Sequence, residues 1–242
     1  VLELSMHKLE GAVAWVTGAG RGIGAAVALE LARAGSRVAL TSRSADQLQT
    51  VQRQIQDHSG QSLILPCDVS DRAAVEKTAL EIKNAWAPVQ ILINNAGSAV
   101  FAKIIQTREE DWDSMMQNNV KSAFLCCRAV LPDMIAAGSG QIVNIVSIAG
   151  RQPYYNCGAY CASKYALQGF TDVLRMEVRK HGIRVTAVLP GATDTAIWGD
   201  AHVERSRMMS AQQVAQTVAA VCCAQPPVMV EEILIRPQGG DL

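Results

Sequence analysis

Seven short β-branched runs alternate with longer amphipathic ones along this chain, and no other feature constrains its fold as much. The runs are "AVAWVT" (12–17), "RVALTS" (37–42), "SLILPC" (62–67), "QILINN" (90–95), "QIVNIVS" (141–147), "IRVTAVL" (183–189) and "EILIRP" (232–237). They are apolar almost without interruption, as strands covered on both faces of a parallel sheet must be. Between them the spacing predicts helices at about 22–34, 45–57, 71–86, 109–137, 158–181 and 211–224, with Ser44 and Asp71 placed as start signals. Strict alternation of this kind implies right-handed crossovers. The predicted architecture is α/β: a single doubly wound, Rossmann-type domain with a seven-stranded parallel sheet and helices on both faces. No Pro/Gly/Ser-rich linker and no solenoid-period repeat divides it, so one domain is expected over 1–242, with residues 1–8 a disordered or extraneous leader.

Bulk properties exclude several functions. The 242 residues suffice for a sizeable core, and 22 basic against 22 acidic side chains offer no excess charge for nucleic acid or an anionic membrane. No apolar run reaches bilayer length, and "VLELSMHKLEG" lacks the apolar middle of a signal peptide. The seven cysteines are odd in number, include two vicinal pairs and contain no C-x-x-C; the histidines do not flank them at zinc-ligand spacing. Free thiols in a reducing cytoplasm, and no metal, are the expectation.

Open α/β sheets bind ligands beyond the carboxyl ends of their strands. The distinctive residues gather there: "TGAGRGIG" (17–24) after the first strand, Ser42-Arg43 after the second, Asp68 after the third, "NNAG" (94–97) at the fourth, Ser147 at the fifth and "PGATDT" (190–195) after the sixth. Gly18, Gly22 and Gly24 allow positive φ, close approach to a diphosphate and tight helix–strand packing, and the next helix offers free N–H groups to the anion. A triphosphate-binding P-loop is excluded because no G-K-[ST] comes after the glycines.

In "GAYCASKYAL" (158–167), Tyr160 and Lys164 stand four residues apart on one helix face. Alone, the pair reads equally as a surface contact or as a lysine tuning a tyrosine. The ordered set "TGAGRGIG", "CDV" (67–69), "NNAG", "QNNVKSAF", "NIVSIAG", "YCASK" and "PGATDT" resembles the classical short-chain dehydrogenase/reductase family over about Leu9 to Pro237. Ser147 lies thirteen residues before Tyr160, as in that family. The resemblance implies an oxidoreductase that reduces a carbonyl to an alcohol, or the reverse. Tyr160 would give a proton to the carbonyl oxygen and Ser147 would hydrogen-bond that oxygen. Lys164 would hold the nicotinamide ribose, and Asn119 would help hold a water leading to Lys164. It implies cofactor contacts from Gly18, Arg21, Gly22, Ile23, Gly24, Ser42, Arg43, Asp68, Val69, Asn95, Ala96, Gly97, Tyr160, Lys164, Pro190, Gly191, Thr193 and Thr195. A positive neighbour favours phenolate, so Tyr160 is expected to titrate below its usual 10 or so. The competing reading is a catalytically silent NADP-sensing regulator. A serine hydrolase is excluded, since Ser147 has no G-x-S-x-G context.

The cofactor is expected to be NADP rather than NAD. Where NAD-specific relatives carry an acidic residue for the ribose, this chain has Ser42 and then Arg43, with Arg21 able to reach the same phosphate. Apolar residues beyond one core-facing stripe in 109–137 and 158–181, the helices that pair across a two-fold axis in the resembling family, predict a homodimer or homotetramer. The substrate is a small-molecule carbonyl or alcohol, either a small carbonyl compound or a 3-oxoacyl type. Tyr154, Tyr155 and Trp198 are candidate pocket residues, and 196–209 a candidate lid whose two arginines and histidine hint at an anionic or polar substrate. His181 and His202 read as helix-end or loop residues, and Cys157 and Cys161 as a source of thiol sensitivity.

Overall fold

The computed structural model describes residues 9–199 and 203–240; the expected leader 1–8 and His202 lie outside the described residues. Strands β1 (Val13–Thr17), β2 (Arg37–Thr41), β3 (Gln61–Ile64), β4 (Ile91–Asn94), β5 (Gly140–Ile145), β6 (Ile183–Pro190) and β9 (Glu232–Ile235) form one sheet. Its order is β3-β2-β1-β4-β5-β6-β9, and every neighbouring pair is parallel. Two short strands, β7 (Thr193–Asp194) and β8 (Met209–Ser210), pair separately above the carboxyl edge.

Alternate strand residues face opposite layers, as a pleated strand requires. Ala14, Val16, Val38, Leu40 and Ile93 pack against α1 (Gly22–Arg33), α2 (Ala45–Gln56) and α7 (Ala211–Cys223). Trp15, Ala39, Leu92, Ile142 and Val185 face α3 (Arg72–Ala85), α5 (Ser122–Ala137) and α6 (Gly158–Val178). None of the seven cysteines forms a disulfide, and all but Cys157 are buried. Asp71 caps α3, its carboxylate accepting from Ala74 N at 2.7 Å.

Two boundaries differ from the sequence reading. The third strand stops at Ile64 rather than Cys67: Leu65 N and Cys67 N still donate to Leu40 O and Ser42 O at 3.0 Å, but Pro66 between them, its φ fixed by the ring, ends the regular pairing of this edge strand. The long helix over 109–137 is three pieces: α4 (Glu109–Met116), a π turn at Gln117–Lys121 and α5. A π turn is a common local distortion at functional sites. This one carries Asn119.

A buried polar ladder ties the centre of the sheet to the helix above it. Asn94 Nδ2 donates to Asn144 Oδ1 at 2.8 Å, and Asn144 Nδ2 donates to Thr171 Oγ1 at 2.8 Å. Thr171 in turn donates to Leu167 O at 2.6 Å. These bonds fix α6 over β4 and β5. Among the described residues, no helix is long and apolar enough to cross a membrane.

Candidate active site

The first strand delivers the chain to a turn that tolerates only glycine. Gly18 has φ +63, and a Cβ there would lie 2.9 Å from Ala96 Cα; a Cβ on Gly24 would lie 2.3 Å from Gly18 O. The turn therefore presses directly on the end of β4. Thr17 fastens the two: its Oγ1 donates to Ile93 O and accepts from Asn95 N and Ala96 N at 3.0 Å. Beyond the turn, α1 begins with no side-chain cap and no acidic residue in its first turn, leaving its N–H groups to an anion.

A groove of about 490 Å³ starts at this loop. It runs past Ser42, Arg43, Asp68 and Val69 to Asn95, Ala96, Gly97 and Thr195, with Arg21 also on its wall. Asp68 is held below the usual carboxylate range chiefly by the Ser70 hydroxyl, then by the Ser70 N–H and more weakly by Arg43. Close backbone approach, free helix N–H groups and a long polar groove fit a dinucleotide. Gly20 also belongs here: a Cβ on it would lie 2.8 Å from Gln47 Oε1 and 3.1 Å from Ser42 Oγ.

The groove opens into a second cavity of about 470 Å³, and Ile23, Asn95, Gly97, Ser98 and Thr195 line both. Ser147, Tyr160, Lys164, Pro190, Gly191 and Thr193 stand on its walls. The fifth strand's end places Ser147, whose Oγ accepts from Ala149 N at 3.1 Å and is hydrogen-bonded to the Tyr160 hydroxyl. Tyr160 and Lys164 occupy successive turns of α6, with Lys164 Nζ 5.8 Å from the tyrosine ring centre. The lysine is 5% exposed and donates to Ile145 O at 3.0 Å.

The expected lowering of the tyrosine does not occur in the protein alone. Burial pushes Tyr160 up to about 12, with the Ser147 hydrogen bond opposing it. The lysine itself is drawn down to about 8 by burial. The pair thus comprises a phenol that keeps its proton at neutral pH and an ammonium that is easily neutralised. Such a phenol is a donor.

Lys164 also makes stability depend on pH. Its folded value of about 8 lies below the 10.5 of an unburied lysine, so above pH 8 the unfolded chain binds the extra proton and stability rises with pH. Lys164→Met is expected to remove on the order of 1 kcal/mol of that rise between about pH 7 and about pH 9. Urea midpoints of both proteins at the two pH values would measure it; an equal rise in both would contradict it.

Asn119 sits on the π turn, buried. Its Oδ1 accepts from Ser98 N at 2.8 Å, and its Nδ2 donates to Ser98 O and to Ser163 Oγ, both at 2.9 Å. Both amide donors are thus spent inside the protein, clamping the loop after β4 to α6. The side chain acts as a brace.

The remaining predicted residues also have places. Tyr154, Tyr155 and Trp198 line the cavity. Arg205 does not: it pairs with Asp194 at 2.7 Å and reaches the Thr195 and Gly199 carbonyls, while Arg207 approaches Glu204 at 4.0 Å. The hint of an anionic substrate from these arginines is thereby removed. His181 ends the short turn after α6. Cys157 lines the cavity, and burial pushes its thiol up to about 11, so it is a poor nucleophile at neutral pH.

Sequence reasoning missed Ser98, Phe101 and Ile148, and within the named loop 17–24 and lid 196–209 it did not single out Gly20 and Val203; all five line one cavity or the other. Phe101 had a signal. It lies four residues beyond Gly97, in the loop at the carboxyl end of the central strand, where ligand contacts are the rule.

Comparison with known proteins agrees with this geometry. The chain is 33% identical over 235 residues to a sepiapterin reductase from Chlorobaculum tepidum, covering 94% of this chain and 96% of that one. A metagenomic short-chain oxidoreductase solved in complex with NADP is 36% identical, with a TM-score of 0.85 and coverage of 96% and 99%. A single-substitution variant of the actinorhodin polyketide ketoreductase, solved with NADPH, is 28% identical at a TM-score of 0.88, covering 96% and 98%. Residues 12–205 match the short chain dehydrogenase family itself, and on that match the chain belongs to this family of oxidoreductases.

Proposed function

We propose that the protein is an NADP(H)-dependent carbonyl reductase in which Tyr160 is the proton donor. One observation carries the reading: Ser147, Tyr160 and Lys164 line one cavity that continues into the glycine-loop groove. A dinucleotide lying along the groove brings its nicotinamide end to these three side chains. The bound cofactor supplies the hydride. Tyr160 delivers a proton to the carbonyl oxygen, Ser147 holds that oxygen by a hydrogen bond, and Lys164 has two donors left for the ribose hydroxyls. Asn119 keeps the floor of the site and α6 in register.

Preference for NADP rests on the far end of the groove. Ser42 offers no charge to repel a 2′-phosphate, and Arg43 and Arg21 stand exposed on the same wall to grip it. The two structural relatives named above were solved with NADP or NADPH.

The purified protein is expected to consume NADPH with at least one ketone, diketone, sugar or acyl thioester from a broad panel. Tight NADPH binding with no turnover across the panel would instead make it a silent NADP sensor.

The active protein is further proposed to be a homodimer or homotetramer. Phe124 on α5 and Tyr165, Val173 and Met176 on α6 are solvent-exposed, the last two by 55% and 68%. Four large apolar side chains on adjoining helices are more than a lone chain needs to show water. Sedimentation at micromolar concentration is expected to give a species of two or four chains of 25.9 kDa each. A single-chain species throughout would overturn the assignment.

A further inference from the structure

The reductase reading leaves the carbonyl compound open, and the wall facing Tyr160 narrows it. Phe101, from the loop after β4, stacks on Trp198 with ring centres 5.5 Å apart and planes 24° apart. The same Phe101 meets the Tyr160 ring nearly edge-on at 6.0 Å and 69°. The three rings make one continuous aromatic surface that ends at the proton donor. It is held in place on the lid side, because Trp198 Nε1 donates to Thr193 O at 2.9 Å.

The opposite side is equally fixed and equally uncharged. Gln152 Nε2 donates to the Tyr154 hydroxyl at 2.6 Å, and Arg236 donates to Gln152 Oε1 at 2.7 Å, so the second tyrosine is braced from the carboxyl-terminal segment. Ile148, Cys157 and Val203 fill in between. Lys164 is the one charged residue lining this cavity among the described residues, and it belongs to the reaction. Arg205 and Arg207 are turned to Asp194 and Glu204 instead. A carboxylate or phosphate entering beside the aromatic wall would lose water and, among the described residues, meet no cation but Lys164, which is costly.

Resting on the reductase reading, we infer that the substrate is an uncharged carbonyl compound with a planar aromatic ring next to its carbonyl group. The ring lies along Phe101 and Trp198, and the carbonyl oxygen points at Tyr160 and Ser147. In the reduction, the carbonyl carbon gains a hydride from NADPH and the oxygen gains the Tyr160 proton. The products are the benzylic alcohol and NADP⁺, and solvent reprotonates the tyrosine.

The test compares acetophenone with cyclohexyl methyl ketone, equal in size but not flat, and 4-acetylbenzoate with its neutral methyl ester. Acetophenone is expected to exceed the cyclohexyl ketone about three- to tenfold in kcat/KM, and the methyl ester to exceed the acid at least tenfold. Phe101→Leu keeps bulk and removes the ring, so it should raise KM for acetophenone more than it lowers kcat. The preference between the two ketones should then shrink towards one. Binding of acetophenone to the NADP⁺-loaded protein, followed by calorimetry, supplies a readout independent of turnover.

Binding that is weakened by Phe101→Leu, without reduction of any carbonyl, would sustain the ligand class and sink the reductase reading. Turnover of acyl thioesters or sugars with neither binding nor reduction of aryl ketones would do the opposite. Equal use of the cyclohexyl ketone, or preference for 4-acetylbenzoate over its ester, also overturns this inference. Absence of both binding and turnover with every compound overturns both.

Discussion

Tyr160→Phe is expected to bind NADPH as the parent protein does while turnover falls by ~10²–10⁴, the scale on which a general acid contributes. The ring remains, so its edge contact with Phe101 survives and the cavity keeps its shape. What disappears is the proton, together with the hydrogen bond to Ser147. Steady-state rates and a fluorescence titration with NADPH measure the two halves separately. Near-parental turnover would remove Tyr160 from the mechanism; lost cofactor binding would show that its hydroxyl serves the cofactor instead. The protein's own pH behaviour points the same way. With the phenol pushed up to about 12, the proton is in place for reduction throughout the neutral range. Oxidation of an alcohol needs it gone, so that direction should gain as pH rises.

Arg43→Ala should weaken NADPH binding ten- to a hundredfold and leave NADH almost unchanged, the effect of losing charge-assisted contacts of ~1.5–3 kcal/mol. The guanidinium stands exposed beside the groove, close enough to Asp68 to help hold that carboxylate down. Ser42→Asp acts in the opposite sense on the other cofactor. It adds an acceptor for a free 2′-hydroxyl and a charge that repels a 2′-phosphate, so preference should move towards NADH. Ser42 Oγ now bonds only its neighbour Ser44 O at 3.2 Å, so little structure is lost in the exchange. Dissociation constants for both cofactors, at fixed ionic strength, decide the matter. A parent protein that holds NADH as tightly as NADPH would mean that both arginines serve solvent.

The seven strands, both helix layers and the edge where the site forms could be read from hydrophobic period and from the residues just past each strand's end, but the order of the strands in the sheet came only with the fold. Period responds to burial, and burial decides the sheet. Local exceptions were harder. Pro66 marks the end of β3 in plain letters, but the two backbone bonds that flank it are tertiary. The π turn at Asn119 has no signature at all, because one added residue in a helical turn barely disturbs the apolar stripe on either side. The direction in which Tyr160 titrates in the protein alone was misjudged for a related reason. Spacing places Lys164 beside it, but spacing says nothing of how much water the fold removes from both. The aromatic wall was half legible: Trp198 and Tyr160 could be named from the sequence, but only the folded chain brings Phe101 against them.

The ladder from Asn94 through Asn144 to Thr171 holds α6 from beneath, by bonds to the sheet alone. Phe101, Tyr154 and Trp198 come from loops above it and share none of those bonds. On the proposed reading, taste and trade therefore rest on separate sets of bonds in this protein. A lineage, or a laboratory library, can rewrite positions 101, 154 and 198 to suit a new ketone without moving the helix that carries the proton donor. The burden of novelty falls on three loops, and the bonds between sheet and helix stay out of reach of it.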